Sequence, residues 1–222
     1  MKTIQPTILL FDLDNTLFNR NSAMRKAMEY WLMHHAQPAG TLEQIMEKDG
    51  FGYADRTGFC QWLLDTFGKG TLPYDTPATL LSFLQQQLVA NVYPNAEITA
   101  MLTRLQPHYR LALASNGSSH IQRAKLKQCG LDSFFASDTI FISGEMPAEK
   151  PSQEFFTTVL ARLQVAPGNI LMTGDDYQKD VAAPQACGMQ ACWVSHNRQI
   201  PAGVTPDITI THITELEQWL KH

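Results

Sequence analysis

Short apolar runs that each stop at a polar or acidic residue recur along this chain, and they constrain its fold more than any other feature. The first, at 7–11, comprises Thr7, Ile8, Leu9, Leu10 and Phe11 and stops at Asp12. Others lie at 109–114, before Ser115, Asn116 and Gly117; at 140–142; at 169–173, before Gly174, Asp175 and Asp176; and at 190–194. Residues 208–210 read as a short edge strand. Continuous apolar runs of this length predict strands buried on both faces, as in a parallel sheet. Between them apolar residues recur at helical spacing, at 96–106, 118–129, 152–164 and 178–187. In the second of these, Ile121, Lys125 and Leu126 share a face and Gly130 stands at the C-cap. Strand and helix in alternation imply crossover connections, hence an α/β fold with a doubly wound parallel sheet.

Residues 17–92 break the alternation and read as all-helical. Met24, Ala27, Met28, Trp31 and Leu32 form one stripe within 23–35, and Phe59, Cys60, Leu63 and Phe67 another within 57–67. Such aromatic stripes are the core of a subdomain rather than a cofactor box. Thr41 to Gln44 reads as a capping box, and Thr76 followed by Pro77 as a helix start. The expected organisation is an α/β core of 1–16 plus 93–222 with a helical insert at 17–92. A total of 222 residues suits one domain with a smaller insert.

Charge and composition exclude several classes. Seventeen Lys and Arg against 21 Asp and Glu leave a net charge of −4, which argues against a broad nucleic-acid or anionic-membrane surface. A small anionic ligand remains compatible, because one local cation can serve it. Apolar residues at 44 % and charged residues at 17 % exclude a disordered chain. No run is long enough to span a bilayer, and residues 1–6 lead into no signal-peptide pattern. Cys60, Cys129, Cys187 and Cys192 form no CxxC pair and read as buried thiols in a reducing compartment. A cytoplasmic protein, monomeric or weakly dimeric, is expected.

Ligands of parallel α/β sheets bind outside the carboxyl ends of the strands. The residues that follow the predicted strands are Asp12, Asp14, Asn15 and Thr16, then Ser115 and Asn116, then Asp175 and Asp176; Lys150 precedes Pro151 before a helix start. Any one Asp here can be a turn or helix-cap residue. Several carboxylates at one sheet edge instead call for a hard divalent cation with oxygen ligands, Mg2+ above all. Lys150 is either a solvated loop residue or the positive group that neutralises a substrate anion. Ser115 and Asn116, with nearby backbone amides, form either a common turn or an anion seat. In the insert, the loop 50–58 combines three glycines with Phe51, Tyr53 and Arg56. It reads either as a plain connection or as a loop that covers a ring-bearing substrate. Asn19, Arg20 and Asn21 are either substrate contacts or polar linker.

Four separated blocks resemble the haloacid dehalogenase-like hydrolase superfamily. Residues 11–17, with Asp12, Asp14 and Thr16, are similar to its D-x-D-x-T loop; Ala114 to Gly117 to its second motif; Glu149, Lys150 and Pro151 to its third; and Gly174, Asp175 and Asp176, followed by Asp180, to its acidic fourth. Their order across 7–195 makes the resemblance specific. The stretch 174–194 is similar to bacterial members that dephosphorylate small phosphoesters, including flavin mononucleotide and nucleotides. The helical insert resembles the cap those members carry after the first motif.

The resemblance implies a phosphatase using Mg2+. Asp12 would be the nucleophile, forming an aspartyl-phosphate. Asp14 would be general acid and then base. Asp12, the main-chain carbonyl of Asp14, and Asp175 would hold the metal. Ser115, Asn116 and Lys150 would hold phosphoryl oxygens, Thr16 would position Asp14, and Asp176 and Asp180 would stand in the outer shell of the metal or of Lys150. The expected substrate is a small-molecule phosphate monoester of the nucleotide, flavin mononucleotide or sugar-phosphate type. Dehalogenases lack the second carboxylate because a halide leaves without a proton, so Asp14 favours phosphoryl transfer. A 2-haloacid dehalogenase, a phosphomutase and a non-catalytic ligand-binding protein are the alternatives.

Overall fold

The computed structural model describes residues 5–35, 40–68 and 74–220. Residues 1–4, part of the stretch read for a signal pattern, lie outside this range. Six strands, β1 (Ile8–Phe11), β2 (Arg110–Ser115), β3 (Ile140–Ile142), β4 (Ile170–Gly174), β5 (Gln190–Val194) and β6 (Ile208–Ile210), form one parallel sheet in the order β3-β2-β1-β4-β5-β6. β1 lies at its centre, with Leu9 opposite Leu111 on one side and Leu171 on the other. All four of its residues are buried, which is why it reads as a continuous apolar run. On one face, Ile8, Leu10, Ala112, Phe141, Ile170 and Met172 pack with Phe155, Phe156 and Val159.

The helices are α1 (Arg20–Leu32), α2 (Thr41–Asp49), α3 (Arg56–Phe67), α4 (Pro77–Ala90), α5 (Ala96–Leu105), α6 (Ser119–Gln128), α7 (Gln153–Leu163) and the short α8 (Ala183–Ala186). Helix α4 starts as read, with Thr76 and Thr79 in a reciprocal cap and Pro77 in the first turn. Helix α2 does not. Its N-cap is Gly40, in the left-handed region at φ 87°, and Thr41 is a buried residue of the first turn. The helix expected over 178–187 is also different. Residues Tyr177–Ala182 form a turn of π-helix, and α8 follows. Pro184 explains the break, since it has no N–H to give the carbonyl one α-turn earlier.

The described residues fall into two compact units, one within 1–18 and 94–222, the other within 19–93. Leu17 and Phe18 stand with the α/β unit: Leu17 N–H donates to the Leu13 carbonyl and Phe18 bridges to Asp14. In the helical unit Trp31, Ile45, Cys60, Leu63 and Leu80 are fully buried, a subdomain core. No helix among the described residues is long and apolar enough to cross a membrane. The cysteines form no disulfide, and burial pushes the thiols of Cys60 and Cys129 up to about 11.

Candidate active site

Strand order reverses between β1 and β4, since the chain runs from β1 outward to β2 and β3 before returning to β4. In sheets of this kind the crevice opens at the carboxyl ends of the two strands flanking the switch. Asp12 follows β1, and its N–H donates to the Thr173 carbonyl of β4 at 2.9 Å. Asp175 follows β4 directly. Asp180 arrives from the π-turn, where its N–H donates to the Asp176 carbonyl at 2.7 Å and its carboxylate accepts from the Asp176 N–H at 3.0 Å. A Cβ at Gly174 would collide with this carboxylate, so the close approach of the turn to β4 requires glycine.

One oxygen from each of Asp12, Asp175 and Asp180 lies within 4.8 Å of the others, and all three residues are buried. Lys150 is only 2 % exposed and donates to Asp12 at 2.8 Å and to Asp180 at 2.7 Å. The solvated-loop reading of Lys150 is therefore excluded. Burial pushes the Asp12 carboxyl up, to about 7; Lys150 opposes the shift and Asp180 adds to it. Asp180 is raised by burial as well. Burial disfavours the Lys150 ammonium, but the two carboxylates outweigh it and hold its pKa above the ordinary lysine value. Three buried carboxylates share the Lys150 ammonium and a 3.4 Å approach of Arg198 to Asp175, so their formal charges of −3 and +2 leave the cluster short of positive charge. An all-oxygen, all-anionic donor set fits a hard divalent cation such as Mg2+.

The neighbouring residues divide differently from expectation. The Thr16 hydroxyl donates to Asp12 at 3.2 Å instead of positioning Asp14. Asp14 is held from α6, by Lys125 on both carboxylate oxygens at 2.8 and 2.9 Å and by the Gln122 amide at 3.0 Å. The same amide donates to the Ser115 hydroxyl at 2.5 Å. The Asn116 side chain is engaged with the backbone of Lys150, donating to its carbonyl at 2.7 Å and accepting from its N–H at 2.9 Å. Asp176 caps the π-turn, accepting from the N–H groups of Gln178 and Lys179, and pairs with the Lys179 ammonium at 2.9 Å. These contacts outweigh burial and hold its carboxyl below the usual range.

In the helical unit, Arg56 does not project from the loop. It donates to Asp49 at 2.7 Å, and Arg20 from α1 also bonds that carboxylate. Asp49 is fully buried, and a buried carboxylate requires cations. Burial pushes its carboxyl up, but the two guanidiniums prevail and hold it below the usual range. Gly52, at φ 90°, lies against Arg20, where a Cβ would come within 2.8 Å of the guanidinium. Phe51 and Tyr53 remain exposed. Asn19 caps α1 by accepting from the Ser22 N–H, and Asn21, Arg25, Met46, Glu47 and Phe51 line a cleft of about 480 Å3 within this unit.

The family model for haloacid dehalogenase-like hydrolases matches residues 9–194. The chain belongs to this family. Among curated relatives of this haloacid dehalogenase-like hydrolase, the mouse (Mus musculus) N-acylneuraminate-9-phosphatase is 31 % identical over 141 residues, covering 62 % of the chain and 54 % of that protein. The pyrimidine 5'-nucleotidase YjjG of Escherichia coli (strain K12) is 31 % identical over 130 residues, or 55 % of each. The chain thus spans about half the length of these relatives. A magnesium-bound crystal structure of the putative HAD-hydrolase YfnB from Bacillus subtilis superposes with a TM-score of 0.81 at 23 % identity, covering 98 % of this chain and all of that one.

Four residues around the site of this hydrolase were not singled out by the sequence reading. Lys125 and Gln122 are two. Arg198 is the third: it donates to the Asp175 carbonyl at 2.5 Å, approaches its carboxylate at 3.4 Å, and lies over the Trp193 ring. His196 is the fourth, and its Nε2 donates to the Asn15 carbonyl at 2.7 Å. Only Lys125 carried a signal, as a cation on an otherwise apolar helical stripe. Arg198 and His196 sit in a loop after β5 with no local pattern.

Proposed function

We propose that this chain is a Mg2+-dependent phosphatase of small-molecule phosphate monoesters, working through an aspartyl-phosphate on Asp12. The observation that carries the reading is the convergence of Asp12, Asp175 and Asp180 on one point, with Lys150 bonded to two of them. Asp12, Asp175 and the Asp14 carbonyl, with Asp180 close by, are the residues that would hold the metal. When bound, the ion screens the nucleophile from the anionic substrate and offsets charge on the transferring group.

The chain's own residues supply the rest. Lys150 takes one Asp12 oxygen and Thr16 the other, so the carboxylate is fixed for attack. An Asp12 oxygen bonds to phosphorus as the bond to the ester oxygen breaks, and Asp14 gives its proton to the leaving alkoxide. Asp14 then takes a proton from water as the water oxygen bonds to phosphorus and the bond from Asp12 to phosphorus breaks, which returns the Asp12 carboxylate and releases inorganic phosphate. Lys150 and Ser115 hold phosphoryl oxygens, while Asn116 steadies Lys150. The names of the curated relatives and the magnesium in YfnB support this assignment. The second carboxylate, Asp14, favours it over dehalogenation. Choice of the ester's remainder is assigned to the helical insert.

The test is phosphate release from p-nitrophenyl phosphate and from a panel of nucleotides, flavin mononucleotide and sugar phosphates. Release should require Mg2+ and vanish with chelator. Asp12→Asn should abolish it while leaving the fold intact. Metal-independent release of halide from a 2-haloacid, with no phosphate release, would replace this reading with dehalogenation.

A further inference from the structure

Lys125 is a charged side chain only 6 % exposed, on the inward face of α6. Burying an ammonium is costly unless it is paired. Its partner is Asp14, which it bonds through both carboxylate oxygens. Gln122, one turn earlier on the same face, adds a third bond to Asp14 and ties it to Ser115 at the end of β2. Phe18 lies under the Lys125 ammonium, 5.8 Å from ring centroid to nitrogen. Asp14 sits on the exit loop of β1, and its side chain is 26 % exposed. A loop carboxylate with that much freedom has several rotamers open to it. Three hydrogen bonds from a rigid helix select one.

We propose that Lys125 and Gln122 are positioning residues that hold the Asp14 carboxylate for proton transfer, coupling it to Ser115 through a single amide. The proposal rests on the reading of Asp14 as the acid and base of the reaction. It assigns Lys125 no contact with substrate; the residue acts through Asp14 alone.

A double-mutant cycle on p-nitrophenyl phosphate with Mg2+ tests this. Lys125→Met should lower kcat by about 10- to 100-fold with KM little changed, because a displaced general acid and base forfeits most of its contribution. In an Asp14→Asn background the same change should have almost no further effect, within about twofold, as expected for residues that act as a unit. Lys125→Arg should recover part of the loss. Lys125→Gln, taken through the same cycle, guards against a Lys125→Met variant that fails to fold, with melting temperatures recorded for all. Multiplying losses in the double variant, or a Lys125→Met kcat within about twofold of the parent, would overturn the proposal while leaving phosphatase activity in place. A parent protein that releases no phosphate at all removes the reading of Asp14, and the proposal with it.

Discussion

At the scale of single residues, the site is an arrangement of buried charges that do not balance. Lys150 is the ammonium that Asp12 and Asp180 share, and Asp180 is 1 % exposed. Removing one partner of a buried ion pair costs about 3–5 kcal/mol, because the remaining charge is left without compensation. Lys150→Met leaves two such carboxylates. The metal-free protein should melt roughly 10 °C lower, at about 2–4 °C per kcal/mol for a chain of this size. An unchanged melting temperature would mean the carboxylates simply protonate at no cost. Gly174 makes a second prediction at this scale. A Cβ there meets the Asp180 carboxylate, so Gly174→Ala must push the π-turn away from β4. Displacements of about 1 Å near a reacting centre can cost about 100-fold in rate. Phosphate release by Gly174→Ala should fall by that order, and a rate within a few-fold of the parent would show that the turn can shift without disturbing Asp12 and Lys150.

At the scale of elements, three helices of the insert meet on one carboxylate. Asp49 ends α2, Arg20 opens α1 and Arg56 opens α3. Because Asp49 and Arg20 are almost inaccessible, solvent screens this pair little. Asp49→Asn keeps the shape and removes the charge, so it should lower the melting temperature of the helical unit by about 3 kcal/mol equivalent, or roughly 10 °C. The sign with pH follows from the depressed carboxyl. Its stabilisation is complete above the unfolded value of 3.8 and is lost as pH falls through the lower folded value. The gap between parent and Asp49→Asn should therefore hold near neutrality and close below pH 3.8, as scanning calorimetry across that range would show; a gap independent of pH would remove the ion-pair account. The same scale shows where sequence reading works. Strands β1 to β5 were legible because burial on both faces writes itself as an apolar run, whereas β6, an edge strand with Thr209 exposed, left only the short pattern Ile-Thr-Ile. Local chemistry misled at two points. Thr41 has the residues of a capping box, yet the chain enters α2 through a left-handed Gly40, which places Thr41 inside the helix. The pattern of 178–187 is helical in period, yet Pro184 and the demand to bring Asp180 back over β4 convert its first half to a π-turn.

At the scale of the whole chain, the candidate site is assembled from residues between 12 and 180, and its legibility depended on their place along the strands. Asp12 and Asp175 were readable because each follows a strand directly. Lys125, Gln122 and Arg198 were not, since their partners lie 111, 108 and 23 positions away and no local periodicity records such pairs. The pairing of Arg56 was hidden for the same reason, because its loop position said nothing of the buried Asp49. A buried excess of negative charge belongs to the folded chain alone, and this gives a test of the cation that does not require turnover. A ligand that binds only the folded state at about 100 times its dissociation constant adds about 2.7 kcal/mol. Saturating Mg2+ should then raise the melting temperature by roughly 5–10 °C, and chelator should reverse it. Asp175→Asn removes one of three clustered carboxylates, along with a long 3.4 Å contact to Arg198. Repulsion relieved and attraction lost nearly offset, so its metal-free melting temperature should stay within about 2 °C of the parent while the Mg2+ shift disappears. A shift that survives in Asp175→Asn would place the cation elsewhere on the molecule. A parent protein indifferent to Mg2+ would leave Lys150 as the cluster's main counter-charge and remove the metal from the proposed reaction.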